Sequence, residues 1–359
     1  MAKLDVVGGG PAGLFCAISA AMSGHDVVVY EEHRQIGNPV NCTGLVSKTG
    51  LDELSEFIDY RKCVLSQISG ARIFAGKEEI AIKCKSTAAY VIDRAHFDVL
   101  CAERAEKEGV KIIYGKRVSK SDIASKREIV GADGPNSFVA DYFRFPRIRR
   151  FVNTYQQEVD FAPEKDRVYV YLSQKDFPGF FGWVVPACDG YSRIGVGVGL
   201  PNNSKKFFDR FISKLGVKDM KRRNTSSALI PLEVRKKTSG TFEGRNVMLV
   251  GDAAGQVKAS TGGGIVFGCL CGKIAGRCVE KPKLYEAEWR KRYEADLAIH
   301  NIVRCFLNNI GDGALEMGFR IVKGLKTDRF LEKHGHMDMP TKMIEKEKLI
   351  DYIKMIAFG

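Results

Sequence analysis

Two glycine-rich stretches carry the residues best suited to chemistry. Gly8-Gly9-Gly10-Pro11-Ala12-Gly13 follows the apolar run LDVV and fits G-x-G-x-x-G, with a proline at the start of a helix. That order lets backbone N–H groups at a helix start reach a pyrophosphate, so Gly8, Gly10, Pro11, Ala12 and Gly13 are assigned to a dinucleotide. Glu31 and Glu32 end the next apolar run, HDVVVY. A carboxylate about 20 residues past the glycines accepts hydrogen bonds from ribose hydroxyls, and its charge argues against a 2'-phosphate. The second stretch, GDAAGQVKASTGGGI, spans residues 251–265 after NVMLV. An aspartate there would repel a diphosphate, so Asp252 is read as accepting from a sugar-alcohol hydroxyl, which the ribityl chain of FAD supplies. Gly263, Gly264 and Ile265 open a helix whose positive end suits the negative N1/C2 edge of a reduced flavin. The later glycines of that helix, GIVFGCLCGKIAGR, are read as leaving room for a flat ring.

Between these stretches, VIDRAHFDVLCAERAEKEGVKIIYG (residues 91–115) reads as a helix and a strand. Asp93 caps the helix, Phe97, Leu100, Cys101 and Ala105 form its inner stripe, and Gly109 ends it. Arg94 is the odd residue. A cation in the first turn opposes the helix dipole by a few tenths of a kcal/mol, roughly, so a nearby anion is expected. REIVGADGPNSFV (127–139) is a second strand entering a turn with an aspartate, and Val118 joins Arg94 among the expected cofactor contacts. His25, His33, His96, His300, His334 and His336 do not cluster, and no Ser-His-Asp or metal set suggests itself. No second G-x-G-x-x-G is present for a nicotinamide cofactor. An external reductant is therefore expected: docking NAD(P)H, a ferredoxin or another small donor.

The supporting elements form an α/β chain of 359 residues: a Rossmann-like FAD-binding domain, an inserted antiparallel-sheet substrate domain and C-terminal helices. The expected division is 1–60, 90–150 and 238–282 for FAD, 61–89 and 151–237 for substrate, and 283–359 for the helices. Residues 151–200 alternate apolar and polar with period two between Pro, Gly and Asp turns, which reads as an antiparallel meander. Its inner face, with Tyr169 or Val170, Tyr171 or Leu172, Trp183 and Val185, is read as roofing an apolar pocket beside the flavin. Core packing explains most of those aromatics equally well. The helices LAIHNIVRCFLNNI and ALEMGFRIVKGLK are amphipathic and basic; packing against the core is expected, with contact at a membrane surface as the alternative.

Composition bounds the partners. Net charge is +13, which suits anionic lipids or an acidic carrier, but no helix-turn-helix, RNP or zinc-finger pattern is present, so nucleic acid is not expected. Ten cysteines without C-x-x-C pairs read as reduced thiols of the cytoplasm. No run of eighteen apolar residues occurs, so a spanning segment is not expected.

GGGPAG with Glu31, PVNCTGLVS, IDRAHFD, GADGPNS, FFGWVVP and GDAAGQVKASTGGGI together resemble the flavoprotein oxidoreductases of the p-hydroxybenzoate hydroxylase fold. Within them the chain is most similar to the geranylgeranyl reductases, which saturate prenyl chains, notably of archaeal ether lipids. Hydroxylases typically carry Ala-His after the aspartate, where this chain has Ala254-Gly255, and Cys42 with Gly44 is similar to the reductases' Cys-x-Gly segment. Ala259 stands where the family often has proline, and Val185 where it prefers an aromatic residue. The resemblance implies FAD as cofactor, a prenyl lipid as substrate, and reduction of C=C bonds by hydride from reduced flavin with a proton from the protein. Cys42 is the candidate proton donor; a small buried residue shaping the ring pocket is its other reading. Phe181 and Trp183 are the candidate substrate contacts. The alternatives are an aromatic monooxygenase and an electron carrier to quinone.

Overall fold

LDVV is buried on both faces because its strand, Lys3–Val7, lies inside a six-stranded sheet. The order is Ser239–Phe242, Arg245–Leu249, Glu128–Gly131, Lys3–Val7, Asp26–Tyr30 and Lys111–Ile113; all neighbours are parallel except the outer pair formed by the first two. Asp5 is the one buried charge in the central strand. It is tolerated there because Lys126 Nζ and Tyr30 Oη donate to its carboxylate at 2.6 and 2.9 Å. The computed structural model describes residues 2–161, 163–187, 190–325, 332 and 337–343. Cys188, His334, His336 and the segment IEKEKLIDYIKMI lie outside the described residues.

Beside this sheet the helix Pro11–Met22 packs against two others, Arg94–Lys107 and Ile265–Arg277. The last touches the first backbone to backbone. A Cβ on Gly272 would stand 2.2 Å from the Ala12 carbonyl oxygen, and one on Gly276 would stand 2.4 Å from that of Cys16. Gly268 lies over Ala12 as well. These glycines recur every four residues, so they share one helix face, and Ala12, Cys16 and Ala20 recur in the same way opposite them. The reading that they leave room for a flat ring is corrected: helix packing uses them.

The second sheet runs Arg222–Ser226, Phe151–Val159, Ser192–Gly199, Gly182–Pro186, Arg167–Leu172, Gly70–Ala75 and Glu78–Lys83, with Leu229–Pro231 also pairing Phe151–Val159. The expected antiparallel meander is present, but Gly70–Ala75 meets Arg167–Leu172 in parallel, so the sheet is mixed. Between those two strands the chain runs through the middle part of the nucleotide region, including Arg94–Lys107, Lys111–Ile113 and Glu128–Gly131, and a parallel pair needs such a long crossover. One sheet face is covered by the helix Ser204–Lys214, whose Phe208 and Phe211 pack near Tyr169, Val184 and Val196. The other face presents Val168, Phe181, Trp183 and Val185 toward Leu232 and Ala259, the latter inside the GDAAG stretch. A small sheet of Leu45–Ser47, Ala89–Ile92 and Val64–Ile68 shares no strand pairing with either, and its Ile68, Ala89 and Val91 pack with Val168 and Trp183 of the second sheet. The helices Pro282–Trp289, Ala295–Asn309 and Asp312–Gly324 follow. No helix among the described residues is long and apolar enough to cross a membrane.

The helix contact gives a directional test. Gly272→Ala forces a Cβ onto backbone and is expected to cost about 1–3 kcal/mol. Gly318→Ala, in a helix with nothing within 4 Å of the added carbon, is expected to gain about 0.5–1 kcal/mol. Chemical denaturation of both variants reads the opposite signs.

Candidate functional site

The first glycine loop opens on a cleft of about 520 Å³ lined by Gly8, Gly10, Glu31, Val118, Asp133 and Phe138, among others. Its glycines have different duties. Gly8 has φ +107°, and a Cβ there would stand 2.2 Å from the Ala132 carbonyl oxygen. Gly13 lies as close to the Gly8 carbonyl, locking helix to strand. Gly10 faces open space, with nothing within 4 Å of a Cβ position. Pro11 is the first helical residue and no side chain caps the helix, so the first-turn N–H groups are left for an anion. Ala12 sits beneath Gly251 and Gly268, where it joins the two glycine stretches.

Glu31 is buried at the end of its strand. It accepts from the Gly9 N–H at 2.8 Å through one oxygen and from the His33 N–H at 2.8 Å through the other, with the His33 ring 2.6 Å away. A carboxylate offers about four acceptor sites, so about one is left to face the cleft. Glu32 is exposed and lies 3.7 Å from Arg117. Val118 is a buried wall. Asp133, which the sequence marked only as part of a turn, has Oδ1 buried with no hydrogen-bond partner among the described residues, and burial pushes its carboxyl up. An orphaned acceptor, an uncapped helix start and a part-used carboxylate in one cleft fit the nucleotide half of a dinucleotide.

The cleft continues at Asp98, which leads to the second group. Arg94 is buried, and its guanidinium donates to Asp98 at 2.9 Å, one turn along the helix. Burial works against its charge, but Asp98 and the Cys42 sulfur, to which it also hydrogen-bonds, hold its pKa above the usual value. Asp98 itself is raised by burial despite Arg94. The anion expected beside Arg94 is therefore at least in part Asp98, and the i, i+4 spacing in IDRAHFD was legible. Cys42 is partly exposed and accepts from the Gly44 N–H at 3.3 Å. Gly44 has φ +71°; a Cβ there would lie 2.4 Å from the Ile92 carbonyl and 2.7 Å from Arg193 Nη1.

Asp252 reaches the same region. Burial raises its carboxyl to about 6, with Arg94 pulling the other way. A Cβ on Gly264 would lie 3.0 Å from Asp252 Oδ1, so carboxyl and helix start stand side by side; Ile265 begins the helix and no side chain caps it. Gly263 lies against the Lys258 stem. Lys258 pairs with Asp338 inside the protein, and Asp338 also accepts from Ser47. His300 bridges Ser260 and the Asp338 carbonyl, and Arg304 donates to the carbonyls of Ala259 and Ser260. Sequence reasoning missed this network. Its members lie in four separate segments, and no spacing rule links them.

Above the group, Phe181 stacks on Phe180 with centroids 4.2 Å apart, and Arg304 lies over both rings. Trp183 is buried, and its indole N–H donates to Gln156 Oε1 at 3.0 Å.

Residues 6–43 match the family model of the NAD(P)-binding Rossmann-like domain. The chain is 30% identical, over 93% of its length and 91% of the relative's, to an uncharacterized protein of Methanocaldococcus jannaschii. It is also 30% identical to the digeranylgeranylglycerophospholipid reductase of Methanosarcina acetivorans, covering 84% of each chain. Among solved structures, a geranylgeranyl bacteriochlorophyll reductase-like protein from Thermoplasma acidophilum superposes with a TM-score of 0.76 at 22% identity. That match covers 98% of this chain and 95% of the other and shows the same fold.

Asp252 gives a pH test in the cofactor-free protein. Its raised pKa means the folded chain prefers the protonated form. That preference costs nothing below about pH 4, where folded and unfolded chains both hold the proton, and reaches its full cost above about pH 6. Asp252→Asn removes it. The variant's stability relative to the parent should rise by up to about 3 kcal/mol between those pH values and stay flat above them, read by urea unfolding across the range.

Proposed function

The chain belongs to the digeranylgeranylglycerophospholipid reductase family, and on that footing we propose that it saturates C=C bonds of geranylgeranyl chains of an archaeal ether lipid, using FAD. The observation that carries this reading is the meeting of Asp252, the uncapped start of the Ile265 helix and the Cys42–Arg94 contact near an apolar sheet face. Gly10 and the first turn of the Pro11 helix would hold the pyrophosphate, Glu31 the ribose, Val118 the wall beside the nucleotide, and Asp252 a ribityl hydroxyl. Reduced FAD, when bound, supplies a hydride.

The protein's own task is then to hold the prenyl chain, exclude water and give the second carbon its proton. Phe181 and the sheet face offer an apolar surface for the chain. Cys42 Sγ holds the proton, and Arg94 beside it stabilises the thiolate left after transfer. Each saturated bond gains one hydride and one proton, and an external donor, NAD(P)H or a ferredoxin, restores the two electrons.

The lipid arrives through the C-terminal helices. Ile302 and Phe306 of Ala295–Asn309 are 67% and 62% exposed, and Met317 and Ile321 of Asp312–Gly324 are 59% and 58% exposed. Four exposed apolar side chains on two consecutive helices of a chain with net charge +13 suit peripheral contact with an anionic membrane.

Anaerobic incubation of dithionite-reduced protein with geranylgeranyl phospholipid should add hydrogen pairs to the lipid, counted by mass spectrometry. Cys42→Ala should slow this step by about a hundredfold or more while the protein keeps its flavin. No mass gain with flavin-loaded protein would remove the reading. On anionic vesicles, Phe306→Glu with Ile321→Glu should abolish co-sedimentation and leave turnover of detergent-dispersed lipid unchanged.

A further inference from the structure

Thr43 follows Cys42 and is gripped twice. Its hydroxyl lies 2.7 Å from Gln156 Oε1, and its carbonyl accepts from Arg193 Nη1 at 2.7 Å. Gln156 and Arg193 stand on the neighbouring strands Phe151–Val159 and Ser192–Gly199, paired in register with Gly195 and Glu158. Neither side chain is free to turn. The Trp183 indole can only donate, and at 3.0 Å it fixes the Gln156 oxygen toward Thr43. Arg193 Nε donates to Glu158 at 3.1 Å, and Glu158 is held in turn by Arg223 at 3.1 Å and Asn224 at 2.7 Å.

The strand itself marks these contacts as unusual. Val152, Thr154, Gln156 and Glu158 alternate onto one buried face, and only the first is apolar. Burying three polar side chains there costs free energy unless each is bonded, and sheet packing alone would be served by apolar residues. Gly44 adds a second observation, since any side chain at that position would collide with the Arg193 guanidinium and the Ile92 carbonyl.

We infer that Gln156 and Arg193 are positioning residues that fasten the Cys42-Thr43-Gly44 turn to the second sheet and so set where the Cys42 sulfur stands. Trp183 acts in this set through Gln156. The inference rests on the proposed role of Cys42 and deepens it: the sheet that receives the substrate also fixes the proton donor. A turn held at one end only would let the sulfur shift by about an ångström, which is enough to slow a proton transfer markedly.

The test reads iodoacetamide alkylation of Cys42 in the flavin-loaded protein, peptide by peptide, beside turnover. Thr43→Val keeps the shape and removes the hydroxyl; Gln156→Leu removes the acceptor. Each should raise the Cys42 alkylation rate about tenfold and lower kcat about tenfold, with KM within about twofold and the flavin spectrum of the parent. Thr43→Ser should restore both. Parent alkylation rates in folded, flavin-loaded Thr43→Val and Gln156→Leu overturn the clamp. Faster alkylation with unchanged kcat also overturns it where Cys42→Ala is inactive. If Cys42→Ala keeps parent turnover, the proton-donor role falls instead, and alkylation alone decides whether the turn is clamped.

Discussion

The backbone contact between the Pro11–Met22 and Ile265–Arg277 helices is the constraint on which the site depends. Gly272 and Gly276 meet the carbonyls of Ala12 and Cys16 at distances that admit no side chain. Closing that gap brings two uncapped helix starts, separated by about 250 residues of chain, to the same place. Each start is a partial positive charge with unsatisfied N–H groups. One alone is common and says little. Two held together, with Asp252 next to one and Glu31 near the other, are what the proposed reading of a single coenzyme spanning both glycine stretches requires.

Buried charges then tie the remaining layers to this pair of helices. Arg94 with Asp98 lies where the cleft passes from the first glycine loop toward Asp252. Lys258 with Asp338 brings residues 337–343 back onto the loop that precedes the Gly262-Gly263-Gly264 run. Glu158 with Arg193 joins the second sheet to the Cys42 turn. Such pairs are weak sources of net stability, because desolvation offsets most of the attraction. Breaking one is costly, however, so each fixes a geometry. The last two link separate segments around the proposed reaction centre, whereas Arg94 and Asp98 brace one turn of a single helix.

Much of this was legible in the sequence because the relevant signals are local. A strand, a G-x-G-x-x-G loop with Pro11, and a carboxylate at Glu31 obey short spacing rules, and the structure brings them to one cleft. The Asp93 cap is present as expected, its carboxylate accepting from the His96 N–H. The parallel pairing of Gly70–Ala75 with Arg167–Leu172 was not legible, since strand partners across a long crossover leave no periodic mark. The glycines of the Ile265 helix were misassigned, although their four-residue spacing, matched by Ala12, Cys16 and Ala20, carried the right answer. For Trp183, read as a candidate substrate contact with core packing as its other explanation, the N–H partner Gln156 was not legible, since only the sheet register identifies it. His300, Arg304 and Asp338 were unreadable for the same reason, since their bonds join segments with no common pattern.

The account's central claim is that one extended coenzyme lies across both glycine stretches, with its nucleotide half in the cleft lined by Gly10, Glu31 and Val118. Calorimetric titration of the cofactor-free protein with FAD and with FMN tests it most directly, because FMN lacks the part that this cleft would hold. The account predicts one FAD per chain, bound at least about a hundredfold more tightly than FMN. Equal affinities for the two, or binding of neither by folded protein, would contradict it.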